Sequence, residues 1–206
     1  ANAIGYISLG SLNDTVKAVK VDGVEATVEN ILADKYPIYR PFNIVTNSNN
    51  DLSALTQDFI TFIMSKQGQD IITEEGYISE AESPAEYTQQ NGLSGRIVLA
   101  GSTSVSPVME TLADAYKEMY PDVEIEIQQT GSGAGITSTI EGACDIGMAS
   151  RAIKDEELAE GLEPTQIALD GIAVVVNNDN DIDELTSDQV KAIFTGETTE
   201  WEDLAE

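Results

Sequence analysis

Histidine is absent from all 206 residues, and cysteine occurs once, as Cys144. Without histidine, the Ser-His-Asp and Cys-His arrangements of nucleophilic catalysis are excluded, and most zinc sites with them. A lone cysteine permits no intrachain disulfide; between Ala143 and Asp145 it reads as a small core residue. Basic residues are scarce, 10 Lys and Arg against 37 Asp and Glu, for a formal net charge of -27. That balance argues strongly against a nucleic-acid partner, because phosphate contacts need clustered Lys and Arg. It disfavours an anionic membrane surface for the same reason. No apolar run is long enough to span a bilayer. No signal peptide stands at Ala1, which leaves a cytoplasmic chain or a mature or trimmed form.

What is present is a 41% hydrophobic chain, long enough for one large domain or two small ones. The stretch Ala100-Gly101-Ser102-Thr103-Ser104-Val105-Ser106-Pro107 organises it. The β-rich run Arg96-Ile97-Val98-Leu99 leads in, and Val108, Met109, Leu112, Ala115, Tyr116 and Met119 follow at helical spacing. Three hydroxyls therefore sit on a strand-to-helix turn. The first turn of a helix offers unpaired amides and the positive end of the macrodipole, which suits an oxyanion. A second unit repeats the design: Val123-Glu124-Ile125-Glu126-Ile127, then Gly131-Ser132-Gly133-Ala134-Gly135, then a short helix. Either loop alone reads as an ordinary helix cap; their recurrence in consecutive units points to a ligand. The negative field opposes an anion's approach, but screening over about 8 Å at physiological salt leaves local dipoles to decide binding.

In chain order, Ala3 to Leu9 reads as a buried strand, and Val16 to Val21 and Val24 to Val28 flank the hairpin signal Asp22-Gly23. Val28 to Ala33 reads as a short helix. The run from Tyr36 to Val45 carries two prolines, which suits an edge strand or a crossing segment between lobes. Asn49-Asn50-Asp51 reads as a cap for a helix with Leu52, Leu55, Phe59, Phe62 and Ile63 on one face, broken at Gly68. Residues 79–94, with Glu80, Glu82 and Glu86, read as a linker. The remainder alternates strand (96–100, 123–129, 145–149, 165–169, 171–177) and helix (106–119, 134–141, 154–160, and a capped helix from Leu185 through Phe194), the pattern of an α/β fold with a largely parallel sheet. Ligands bind such sheets beyond the carboxyl ends of the strands, where the loops 101–107, 130–135 and 150–153 lie.

These runs carry a resemblance. Residues 96–206 resemble the N-terminal half of the phosphate-binding proteins (PstS) of bacterial phosphate ABC importers. The matching segments are 100–107, Gln129 to Ile136, Asp145 to Arg151, Asp170 to Asn177 and Ile193 to Leu204. Residues 2–78 look like the C-terminal half of the same family, through Asn2 to Leu9, Tyr36 to Phe42 and Ser65 to Gln69. The halves stand in reversed order, as in a circular permutant or a fragment spanning two tandem copies. The resemblance implies an α/β, type II periplasmic-binding-protein-like fold. It would have one complete permuted lobe (39–78 with 95–169) and a partial second lobe (1–38 with 170–206), around the linker 79–94. In sequence, 1–78 corresponds to the family's C-terminal half and 95–206 to its N-terminal half.

Further implications rest on that resemblance. The chain would be an extracytoplasmic solute receptor for inorganic phosphate, a cell-surface lipoprotein or periplasmic protein, working with ABC permease membrane subunits. It would need no cofactor and no metal, and would not be an enzyme. The phosphate ligands would be Thr103, Ser104, Val105, Ser132, Gly133, Ser150 and Arg151, with Arg151 alternatively a plain salt bridge. The best-known members carry an aspartate where this chain reads Ser150-Arg151; Asp170 would be either a substitute acceptor or a structural residue. The family's second-lobe segment with a Gly-Ser-Gly-Thr-type loop and an arginine has no counterpart here. Half a site should bind weakly, and a swapped or paired dimer that supplies the loop would restore affinity. The alternatives are a surface structural or interaction module that kept the fold without the ligand, and an enzyme acting on phosphate esters. Against the enzyme, the glycine-rich loops lack the Lys-Ser/Thr ending of a P-loop and no motif groups the carboxylates.

Overall fold

The computed structural model of the chain describes residues 3–79, 81 and 83–204; Ala1, Asn2, Glu80, Glu82, Ala205 and Glu206 lie outside the described residues. In chain order the elements are β1 (Ile4–Ser8), β2 (Lys17–Ala18), β3 (Lys20–Val21), α1 (Val28–Leu32), β4 (Tyr39–Asn47), α2 (Ala54–Met64), α3 (Lys66–Glu74), β5 (Gly95–Gly101), α4 (Ser106–Met119), β6 (Val123–Gln129), α5 (Ser132–Ile140), β7 (Ile146–Ala149), α6 (Asp155–Leu158), β8 (Leu162–Val176), β9 (Glu184–Leu185) and α7 (Ser187–Thr195). They form two compact units. One is the continuous stretch Arg40–Leu169; the other combines Ala1–Tyr39 with Asp170–Glu206.

The continuous unit is built on strands in the order β8-β4-β7-β5-β6. β5 pairs in parallel with β6, from Gly95 opposite Val123 to Gly101 opposite Gln129, and with β7, from Leu99 opposite Ile146 to Gly101 opposite Met148. Helical crossovers through α4 and α5 make that parallel pairing available. β4 has no such connection to β7 and pairs with it antiparallel, Asn43 opposite Ala149. The sheet is therefore mixed rather than largely parallel. β4 also lies inside the sheet, not at its edge; Pro41 is tolerated because the residues paired with β7 begin at Asn43.

The core of this unit forms where the apolar faces of α2 and α4 meet β5 and β7: Phe59, Ile63, Met109, Leu112, Ile97 and Met148 are fully buried. α4 covers Ser106–Met119, with Pro107 in its first turn and Lys117 in its last, both suited to those ends. α2 is capped by Ser53, which accepts from Thr56 N–H, and not by Asn49-Asn50-Asp51. There the Asn47 carboxamide accepts from Asn49 N–H (2.9 Å) and turns the chain. The helical run breaks at Ser65, which ends α2 and caps α3. Gly68 lies within α3; a Cβ there would collide with the Phe62 and Ile63 carbonyls, so close packing, not helix breaking, calls for glycine.

The described residues of 79–94 contain no helix or strand, yet they are strapped down. Lys66 N–H donates to Ala85 O (2.8 Å) and Gln90 N–H to Tyr120 Oη (2.8 Å). The Tyr87 and Tyr116 hydroxyls both donate to Asp58 Oδ2, and the Tyr87 and Tyr120 hydroxyls stand 2.7 Å apart. Burial first, then the hydrogen bond to Asp58, pushes both the Tyr87 and Tyr116 phenols up.

In the other unit, β1 and β2 pair antiparallel with the distal part of β8. The two strands expected at 165–169 and 171–177 are one 15-residue strand, β8. Asp170 within it is fully buried and accepts from the Ser8 hydroxyl, which gives it a structural partner. Asp22 and Gly23 do form a turn, with φ of 52° and 77°. The expected hairpin shrinks to a single Val21–Val24 bridge, because on that edge Val19 N–H donates to Val174 O (2.9 Å) and Thr27 already caps α1; β3 pairs with β9 along its other edge. α7 starts at a Thr186/Gln189 capping box and ends at Gly196 in the left-handed conformation.

Asp58→Ala removes the shared acceptor of two phenols and is expected to cost about 2–4 kcal/mol, with Tyr87→Phe costing about 1 kcal/mol. Urea unfolding midpoints check both, and limited proteolysis within 83–94 should quicken in each variant.

Candidate functional site

Three loops leave the carboxyl ends of β5, β6 and β7 side by side, because Gly101 lies opposite both Gln129 and Met148. The Gly101 carbonyl accepts from Thr130 N–H (3.0 Å) and Gly131 N–H (2.7 Å), tying the first loop to the second. Ser102 N–H donates to Met148 O (2.9 Å), tying the first to the third. Glycine permits this proximity. A Cβ on Gly135 would stand 2.5 Å from Ala100 O and from Gly101 Cα, and one on Gly101 would collide with Met148 O. Gly101 also has φ of +143°, which other residues rarely adopt.

In the first loop, Ser102 is buried and braces the turn ahead of α4, whose cap position, Val105, carries no side-chain cap. The Ser102 Oγ accepts from Ser104 N–H (3.2 Å) and Val105 N–H (3.4 Å), and its carbonyl from Val105 N–H (3.2 Å) and Ser106 N–H (3.1 Å). The amides of Ser104 and Val105 are thus held internally, Val105 through two long contacts. The side chain of Thr103 is exposed, that of Ser104 half-buried, and neither hydroxyl has a hydrogen-bond partner among the described residues. The second loop differs. Gly131, with φ 89° and ψ 151°, leads into α5 without a side-chain cap. The first amide bonded back is Gly135 N–H, to Gly131 O (3.0 Å). The amides of Ser132, Gly133 and Ala134 precede that bond and sit at the positive end of a nine-residue helix.

The third loop joins the second through serine. Ser150 N–H donates to Ser132 Oγ (3.2 Å), and the two hydroxyls lie 3.4 Å apart. Arg151 turns to its own loop: its guanidinium meets Glu157 in a fork at 2.7 and 2.8 Å and also donates to Ala152 O (3.0 Å). Asn43 Nδ2 donates to Arg151 O (2.9 Å), holding the loop to β4. The hydrogen bond from Arg151 holds the Glu157 carboxyl well down, at about 2, and Glu157 in turn raises Arg151.

Of the seven residues read from the sequence, Ser132, Gly133 and Ser150 thus share one cluster. Thr103, Ser104 and Val105 line the neighbouring turn, and Arg151 is paired within its own loop. Sequence reasoning passed over Ser102, whose buried hydroxyl accepts from Ser104 N–H and Val105 N–H and braces the turn. It passed over Ala134 as a third amide, and over Glu157, which sits three residues after Lys154 and accepts from its N–H (2.9 Å). The site offers uncharged donors to a small oxyanion. Among the described residues no group of three His, Cys, Asp or Glu could hold a metal ion, and no helix is long and apolar enough to cross a membrane.

Hydroxyls and free helix-end amides thus gather at the carboxyl ends of parallel strands in an α/β unit, an arrangement suited to a small oxyanion. The sequence profile of the PBP superfamily domain matches residues 80–206. The phosphate-binding protein PstS 2 of Streptococcus agalactiae is 50% identical over 204 residues, covering 99% of this chain and 69% of that protein. The crystal structure of the phosphate-binding protein of a phosphate ABC transporter from Streptococcus pneumoniae superposes with a TM-score of 0.88 at 51% identity, over 99% of this chain and 78% of that one. A Clostridium perfringens substrate-binding protein, described as a putative phosphate ABC transporter component with bound phosphate, gives 0.51 at 49% identity, over 53% of this chain and 45% of that one. The chain belongs to the PstS-like phosphate-binding proteins of the PBP superfamily.

The Arg151–Glu157 pair sets a pH dependence. Glu157 is depressed from its ordinary 4.5 to about 2, so its contribution to stability is complete above pH 4.5 and is lost as pH falls toward 2. Glu157→Gln should therefore lower the melting temperature at neutral pH, and the gap to the parent protein should close between pH 4.5 and 2 in thermal melts.

Proposed function

We propose that this chain is the anion-gripping part of an extracytoplasmic receptor for inorganic phosphate, delivering it to the membrane subunits of an ABC importer. The observation that carries the reading is the start of α5: three amides ahead of the first helical bond, beside the Ser132 and Ser150 hydroxyls. The bound phosphate named for the Clostridium perfringens relative, 49% identical over 53% of this chain, supports it. The ligand set is the Thr103, Ser104, Ser132 and Ser150 hydroxyls with the amides of Ser132, Gly133 and Ala134. Val105 N–H is the weakest contributor, since Ser102 already holds it. Arg151, its charge matched by Glu157, keeps the Ser150 loop in place.

The order of the halves is, in this reading, a natural circular permutation. Two findings support it. The streptococcal proteins align with 99% of the chain in one continuous match, so they share its order. The Clostridium perfringens protein, at similar identity, matches only 53% of it, as expected where the halves are exchanged.

A charge-assisted hydrogen bond contributes about 1.5–3 kcal/mol net. Four or five from one lobe are offset largely by desolvation and ordering, whereas micromolar affinity requires about 8 kcal/mol. This chain by itself should bind phosphate with a dissociation constant of roughly 1 mM, near 4 kcal/mol. Amide NMR titration with phosphate should move the Ser132 and Gly133 signals first. Ser132→Ala should weaken binding about ten- to a hundredfold, the equivalent of one such bond. Amide signals at 131–134 that stay fixed up to high phosphate would reject the reading in favour of a surface module without a ligand. Turnover of a phosphate ester would reject it in favour of an enzyme.

A further inference from the structure

We infer that Asn91 is a site of spontaneous backbone modification, converting to aspartate and isoaspartate through a cyclic imide. The observation is a contrast among the three places where an Asx residue precedes glycine: Asp22-Gly23, Asn91-Gly92 and Asp170-Gly171. Imide formation requires the amide nitrogen of the glycine to reach the side-chain carbonyl carbon, so a side chain that is tied down or buried is protected. Asp22 is tied down: its carboxylate accepts from both Ser187 N–H (2.9 Å) and the Ser187 hydroxyl. Asp170 is fully buried, accepts from Ser8, and is followed by a glycine whose Cβ position is already occupied by Ile31.

Asn91 has neither protection. It is exposed and its carboxamide makes no hydrogen bond among the described residues. Gly92 is exposed, outside any helix or strand, with no atom within 4 Å of where a Cβ would stand. Asparagine is also the more reactive partner, because ammonia leaves more readily than hydroxide. The Gly92 nitrogen bonds to Cγ of Asn91, the Cγ–Nδ2 bond breaks, and ammonia departs carrying the displaced proton. Water then opens the ring at either carbonyl, restoring the Gly92 N–H and leaving a new carboxylate. Opening on the α-carbonyl side lengthens the backbone by one carbon. It does so between Gln90, whose N–H is held by Tyr120 Oη, and Leu93, which packs against the core.

The test is incubation of the native protein at mildly alkaline pH beside a denatured sample. Trypsin cleavage after Lys66 and Arg96 releases peptide 67–96, in which Asn91 is the sole asparagine. Mass spectrometry and an isoaspartate methyltransferase assay then follow it. The expected result is amide-to-acid conversion in the native protein within an order of magnitude of the denatured rate, abolished in Asn91→Gln, with no isoaspartate at Asp22 or Asp170. A native peptide that stays amidated while the denatured one converts would overturn the inference, as would native conversion equal in Asn91→Gln.

Discussion

The close approach of α5 to the end of β5 governs the site. The Gly101 carbonyl receives two amides from the second loop, and Gly135 brings the helix backbone against Ala100 and Gly101 where no side chain fits. Gly147 completes the contact, since a Cβ there would collide with the Thr139 hydroxyl. Packed interiors do not absorb an added methyl group without displacement. The amides of 132–134 therefore point from a fixed place, and the neighbouring serines inherit that placement through Ser132 and Ser150.

A site of uncharged donors suits a chain with a net charge of -27. The one arginine in the three loops is neutralised by Glu157 at 2.7 Å. In the proposed role, binding strength depends on preorganised dipoles whose reach is a single helical turn, and little on long-range attraction. The arrangement separates recognition from the protein's overall field. The acidic surface can serve solubility while the site answers only to groups in direct contact.

Much of this was legible in the residues. The helix over 106–119 and the strand over 123–129 match the structure residue for residue, because apolar spacing and β-branched alternation agree there with the tertiary environment. The two hydroxyl-rich loops were legible for the same reason: each lies between a clear strand and a clear helix. What was not legible depended on contacts between distant residues. Gly68 reads as a breaker in sequence but is required by the Phe62 and Ile63 carbonyls. The Asp22-Gly23 turn predicts a hairpin, yet Val19, on the edge of the strand that faces Val24, donates its N–H to Val174 O instead of to a returning strand. Pro41 suggests an edge, and only the register with β7 shows why an interior strand accepts it. Arg151 looks like an anion ligand until Glu157, six residues later, is seen to hold it.

The two units differ in how the chain assembles them. Arg40–Leu169 is unbroken, so every contact of its core is available once that stretch has left the ribosome. The other unit draws on two segments far apart in sequence, and Ile4 cannot meet Val176 until the intervening residues have been made. Translation delivers residues in sequence, and domains fold as they are completed. The unit bearing the anion loops can thus mature first, while the first strand of its neighbour waits without its partner. A truncated translation product ending near residue 170 would carry a finished core attached to an unpaired apolar strand, a natural target for quality-control proteases.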